Sequence, residues 1–293
     1  MAEYRTYQAR ADAARAETLA ATTSPFTIDV RFLGGLNARQ RKAFTSAADR
    51  WTTVIVGDLP PVLADGEAID DILILAQGVP IDGPGAILGQ AGPTHLRPAS
   101  AGNAAFLPAR GVMSFDTADL AKMEAAGTLN DVITHEMGHV LGIGTLWSHK
   151  NLLKGAGTSN PTFAGAGAIT EYRTLHGTGA RRKRVPVENT GGPGTREGHW
   201  RETVFRNELM SGFIAQPGNP LSRLTVASLA DLGYQTDLDA AESYVLPNLL
   251  ALAEDGSLVE HAAPIDDGIV LPVIPVVLPG DSLAAGARAS ATR

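Results

Sequence analysis

Residues 132–147 read VITHEMGHVLGIGTLW, with two histidines four positions apart and a glutamate after the first. On a helix, positions i and i+4 share one face, so His135 and His139 can direct two imidazole nitrogens at one ion. Neutral imidazoles suit Zn²⁺, and a catalytic zinc site takes three protein ligands and leaves a position open. Glu136, beside the pair, can serve as general base toward a water activated there. With the histidine and glutamate content of this chain, random placement gives roughly 0.007 H-E-x-x-H matches, so coincidence is a poor explanation. The chain contains no cysteine. Thiolate ligands, disulfides and a cysteine-based latch on a metal are therefore excluded, and His, Asp or Glu must complete the set.

Gly142 stands three residues after His139, as in the pattern H-E-x-x-H-x-x-G-x-x-H, where a glycine turn brings in a third histidine. The corresponding last position is Thr145, whose hydroxyl is a poor zinc ligand. The other histidines are His95, His149, His176, His199 and His261. His149 could swing back from a short loop, while His199 beside Trp200 has an ordinary reading as a surface histidine next to a core tryptophan. HEMGHVLGIGTLW, followed downstream by VPVENTGGPGTREGHWRETVFRNELMSG and NPLSRLTVASLADLGY, resembles the leishmanolysin-like zinc metallopeptidases of the metzincin clan, particularly bacterial members.

The resemblance spans about 26–235 and implies a long insertion between the helix glycine and the third ligand. By position it makes His199 the third ligand to a single catalytic Zn²⁺ and Met210 the methionine of a supporting Met-turn. It also implies an α+β, zincin-type fold. The expected frame is a twisted mixed sheet of about five strands with an antiparallel edge strand, packed on the active-site helix and a second helix. A mainly helical or irregular C-terminal subdomain follows.

The elements that must position these residues are partly visible in the pattern. FTIDVRF (26–32) alternates as a strand, with Ile28, Val30 and Phe32 on one face. Asn37 can cap a helix to about residue 56 with Phe44, Ala47, Trp51, Val54 and Ile55 as its stripe. DDILILAQ (70–77), AILGQAGP (86–93) and GVMSFD (111–116) read as strands. Thr128 or Asn130 can cap the histidine helix, Asp131 suits its N-terminus, and Ile133, Met137, Val140 and Leu141 form its core face. Gly142 is placed to end it in a left-handed conformation. Residues 148–198 read as a long elaborated loop, and a helix over about 223–232 is capped by Ser222 and stopped by Gly233. Tyr234, just after that stop, reads as packing.

The expected organisation is an N-terminal arm or pro-segment (1–24), a catalytic subdomain with the zinc helix (25–147), a second subdomain with the insertion, third ligand and Met-turn (148–242), and an extension (243–293). On the metzincin plan AILGQAGP is the edge strand, and an extended peptide could pair along Leu88, Gly89, Gln90 and Ala91 by main-chain hydrogen bonds. A buried strand is the plain alternative, and glycines at 89 and 92 would admit a close backbone.

A net charge of −7 argues against nucleic acid as a partner, and the cluster Arg181-Arg182-Lys183-Arg184 reads as an exposed loop. No stretch is long and apolar enough for a transmembrane helix, and the first residues lack the apolar core of a Sec signal. Secretion by another route is the expectation over residence in the cytoplasm. The expected activity is zinc-dependent endopeptidase action on a protein or peptide substrate. A non-catalytic binding or adhesion module on the same scaffold, and a zinc hydrolase of non-peptide amides or esters, are the alternatives.

Overall fold

The computed structural model describes residues 4–85, 87–177, 184–192, 194–214, 216–248 and 269–284. Arg181, Arg182, Lys183 and His261 lie outside the described residues. A single seven-stranded sheet organises the chain. Its strands are β1 (Arg5–Arg10), β2 (Thr27–Gly34), β5 (Ile72–Val79), β6 (Ile87–Leu96), β7 (Pro108–Asp116), β11 (Ile269–Pro272) and β12 (Val276–Val277). The order is β1-β2-β5-β7-β6-β11, with β12 also on β6. A hairpin of β3 (Val62–Ala64) and β4 (Glu67–Ile69) stands apart.

The core of this sheet follows the apolar pattern. β2, β5 and β7 run parallel, with Ile28 beside Ile72 and Leu75 beside Val112. Both faces of β5 are largely buried, as the continuous run ILILA requires. β6 turns back antiparallel to β7, pairing Gly89 with Phe115 and Ala91 with Met113. Four of the sheet's strands were located in the sequence, and the two ends of the chain add three more, which makes seven where about five were expected. β1 comes from the stretch read as an arm and pairs antiparallel to β2, followed by the helix α1 (Ala13–Ala20). Its sequence, RTYQAR, buries only Ala9, so it carries no strong apolar alternation. β11 and β12, from the extension, lie parallel to β6. β6 is therefore antiparallel as expected, but it is not an edge: main-chain groups from the C-terminal segment cover its outer side.

Two helices lie on this sheet. α2 (Ala38–Val54) opens with a reciprocal cap in which Gln40 N–H donates to Asn37 Oδ1 and Asn37 N–H to Gln40 Oε1, each at 2.9 Å. α4 (Leu129–Val140) carries the H-E-x-x-H residues. The two touch through Trp51, fully buried, whose indole N–H donates to the Thr134 carbonyl at 2.9 Å. Removing a buried indole of this kind costs about 3–5 kcal/mol. α4 seats closely on β7 because residue 111 is glycine: a Cβ there would fall 2.3 Å from Val140 Cγ1. Neither candidate cap bonds the helix start. Thr128 holds the N-cap position without a side-chain hydrogen bond, and Asp131 instead accepts from Gly218 N–H (2.8 Å) and Asn219 N–H (3.4 Å).

α3 (Thr117–Ala126) was absent from the sequence expectation, although Asp116 before it and Gly127 after it (φ +77°) are ordinary cap residues. Asp116 accepts from Ala118 N–H at 2.7 Å and also from Ile81 N–H at 2.5 Å, tying the 80–85 loop to this helix. Within 148–198 the chain is more regular than a loop. It forms β8 (Leu153–Lys154), β9 (Thr162–Phe163), α5 (Ala166–Leu175) and β10 (Val185–Pro186), with β8, β9 and β10 in a small antiparallel sheet. The short α6 (Glu202–Phe205) and α7 (Arg223–Leu232) complete the helices, α7 being capped by Ser222 and stopped by Gly233 (φ +119°).

Arg97 pins the lower end of the sheet. It is fully buried, and its guanidinium donates to the carbonyls of Pro60, Pro108, Asp70 and Asp71. The contacts to Pro108 and Asp71 are buried, so removing the donor leaves those oxygens unsatisfied. Arg97→Met is expected to lower the unfolding free energy by about 3 kcal/mol, read by chemical denaturation; an unchanged midpoint would contradict this role.

Candidate metal centre

The chemistry of the centre follows from where the imidazole protons must be. His135 Nδ1 lies 2.7 Å from the Leu209 carbonyl, His139 Nδ1 2.9 Å from that of Ile143, and His199 Nδ1 2.8 Å from that of Thr195. A carbonyl oxygen only accepts, so each Nδ1 carries the proton and each Nε2 presents a lone pair. The three Nε2 atoms converge to 2.9–3.0 Å from one another. All three side chains are buried. Burial, and then the neighbouring histidine, push each imidazole down to about 3, so all are neutral at physiological pH. Three lone pairs facing each other without a proton between them repel unless a cation sits among them. A three-imidazole donor set of this kind fits zinc.

Helix geometry places His135 and His139, and glycine geometry places His199. Gly142 (φ +109°) and Gly144 (φ +74°) turn the chain sharply after α4, and Gly142 ends the helix in the left-handed conformation expected of it. At Gly144 a Cβ would come 2.0 Å from the Gly198 carbonyl, so only glycine lets this turn touch the segment leading to His199. Thr145, where a nearer third histidine would stand, donates its hydroxyl to the His139 carbonyl at 2.8 Å. His199 is not a surface residue: its neighbour Trp200 anchors in the core, stacked on Trp147 at 4.7 Å, while His199 turns the other way into the cluster. His149 packs near Phe106, His95 lies by Asp65, and His176 packs on Tyr172; none joins the three.

Met210 is fully buried under α4. A Cβ on Gly138 would meet its sulfur at 2.7 Å and Trp51 Cζ2 at 2.9 Å. The residue before it, Leu209, supplies the carbonyl that orients His135. Behind this segment stands Glu208, to which the sequence assigned no role. Its carboxylate accepts from Met210 N–H (2.6 Å), Ser222 Oγ (2.6 Å), Ser222 N–H (3.3 Å) and Thr225 Oγ1 (2.5 Å). Thr225 Oγ1 in turn accepts from the Trp200 indole at 2.8 Å. One buried carboxylate thus joins the start of α7, the Met210 segment and, through Trp200, the segment bearing His199. Glu188 does similar work upstream, accepting from Asn189, Thr190 and Glu202 N–H groups. Tyr234 is buried, and its hydroxyl donates to the Leu141 carbonyl at 2.9 Å, a packing role.

The histidines open onto a cleft of about 640 Å³. Glu136 lines it beside them, and burial alone pushes its carboxyl up to about 8. A divalent cation at the neighbouring nitrogens favours the ionised form and opposes that shift. Leu88 and Ala91 of β6, Met123 of α3, Val132 of α4 and Phe213 contribute apolar lining.

Three buried imidazole donors and a carboxyl group in one open cleft, on an α+β frame, define a metallopeptidase-type centre. The family model described as leishmanolysin matches residues 63–253, about two thirds of the chain. The chain belongs to that family, a family of zinc metallopeptidases. Comparison with curated proteins finds no match.

Glu208 carries the expectation for this site. Glu208→Ala strands four donors and frees the Leu209–Met210 segment, so zinc affinity should fall about 10–100-fold in competitive chelator titration. Wild-type affinity in the folded variant would show that Glu208 does not position the ligands.

Proposed function

We propose that the protein is a zinc-dependent endopeptidase, with one Zn²⁺ held by His135, His139 and His199 and with Glu136 as general base. The observation that carries this reading is that Glu136 and the three imidazole donors face the same open cleft. When bound, zinc supplies Lewis acidity that polarises a carbonyl and acidifies a water. Glu136 would take a proton from the attacking water and return it to the leaving amine. Burial raises this carboxyl and a cation at the neighbouring nitrogens lowers it, and the ionised form is the one that can accept a proton. The main-chain carbonyls of Leu209, Ile143 and Thr195 hold the imidazoles in the ligating tautomer throughout.

In this reading Met210 is the Met-turn methionine and acts by packing, as a polarizable support under α4 rather than as a ligand. Leu88, Gly89, Gln90 and Ala91 form the strand along which an extended peptide pairs. Leu88 and Ala91 face the cleft and Gln90 is exposed. At Gly89 the close backbone is that of β7: a Cβ there would fall 2.2 Å from the Ser114 carbonyl. Among the described residues no helix is long and apolar enough to cross a membrane.

Digestion of casein with and without a chelator is the primary test. Cleavage abolished by chelator and restored by zinc is the expected result, and chelator-insensitive cleavage would contradict it. Glu136→Ala should retain zinc and lose hydrolysis by about 10²–10⁴-fold, whereas full turnover would remove Glu136 from the mechanism. His199→Ala should lower zinc content per chain in elemental analysis; an unchanged content would exclude it as the third ligand.

A further inference from the structure

The open side of the cleft is filled by the chain itself. β11 pairs in parallel with β6, setting Val270 opposite Gly89, Leu271 opposite Gln90 and Pro272 opposite Ala91. Val270 and Pro272 line the same cleft as the histidines and Glu136; Val270 is half-buried there, while Pro272 stays exposed, as does Leu271 at 41%. From the other side the loop leading to His199 closes on the same segment: a Cβ on Gly194 would lie 2.9 Å from the Val270 carbonyl. Further along, a Cβ on Gly92 would lie 3.1 Å from that of Val273. The C-terminal segment therefore runs between β6 and the third-ligand loop, the slot that an extended peptide would need.

Its attachment is uneven. Beyond the cleft, Val276 pairs with His95, Leu278 N–H donates to the Leu96 carbonyl at 2.8 Å, and Leu283 bridges to Val62. Leu278 and Leu283 are both buried. Over and next to the cleft the hold is shallow. Pro272 and Pro275 have no N–H to give to the ladder, pairing lapses between β11 and β12, and Ile274 is 91% exposed. A segment with few buried apolar contacts and an interrupted ladder opens at a small fraction of the global stability. β6 keeps its pairing to β7 when this segment leaves.

We propose that residues 269–284 are an intramolecular strap that occupies the peptide-binding position on β6, so that substrate enters the cleft only when the strap is displaced. The inference rests on the peptidase reading above. The strap is a competitor rather than a structural strand alone, because Val270 and Pro272 line the same cleft as Glu136. Full-length protein then binds peptide with an affinity reduced by the fraction of molecules that are open.

The test compares the full chain with a chain ending at Asn248, both zinc-loaded, on a quenched-fluorescent peptide. The shortened chain should show a kcat/KM raised about tenfold or more, chiefly through KM, the factor expected when less than about a tenth of molecules are open. A synthetic peptide of residues 269–284 should inhibit it competitively, and a fluorescent version should bind the shortened chain and not the full one. Equal kcat/KM together with no binding of the strap peptide would overturn the proposal. If removing the strap prevents folding, Gln90→Cys with Leu271→Cys decides the matter, since the native chain has no cysteine to compete. The oxidised form should be at least about tenfold less active than the same protein reduced. Equal activity of the two forms would overturn the strap. Failure of every zinc-loaded form to cleave any peptide would instead remove the peptidase reading, with strap-peptide binding still deciding the strap.

Discussion

Three unprotonated imidazole nitrogens held 2.9–3.0 Å apart in a buried site are the constraint on which the rest of the structure depends. Left alone they repel, and protonation is no relief, because burial and mutual proximity oppose the imidazolium form. The fold must supply the force that keeps them together until a cation does. It does so from three directions. Trp51 fixes α4 against α2, the Leu209 carbonyl pins His135 from below, and the glycine contact between residues 144 and 198 brings in His199. Each device is local, and each relies on a residue type chosen for size or for a single hydrogen bond.

Glu208 makes these devices act together. A carboxylate buried with four donors is costly to desolvate, and burial raises its pKa against their pull. In return it sets the start of α7, the turn through Met210 and, by way of Thr225, the Trp200 indole in fixed relation. A fully satisfied polar network of this kind rigidifies its surroundings more than apolar packing of equal volume would. The three histidines therefore sit on a frame that this network holds in place.

Much of this was legible in the residues and some was not. His135, Glu136 and His139 follow from helical spacing, and Gly142 from the need for a left-handed stop. His199 came within reach only through the combination of three separated motifs, since no local pattern marks a histidine 60 residues away as a partner of His139. β1 was hidden because an edge strand with one buried alanine has little apolar alternation. α3 was missed although Asp116 and Gly127 bracket it as caps; its length and modest amphipathicity gave the apolar period little to show. Glu208 could not be read, because contact with Ser222 and Thr225 is a tertiary fact. The role of β6 was half legible: its antiparallel direction followed from the family plan, but the segment covering its edge comes from a stretch too proline-rich to read as a strand.

The strap also gives the cleft a different standing from an open groove. In the proposed reading the same main-chain edge serves one occupant at a time, so the C-terminal segment on β6 and an extended peptide would exclude each other. The chemistry of the cleft rests on the ligand set proposed for it. X-ray absorption at the zinc edge on the purified full-length protein tests it most directly. One zinc per chain with a shell of three imidazole nitrogens is the predicted result, and a shell of two imidazoles, or no bound zinc, would contradict it.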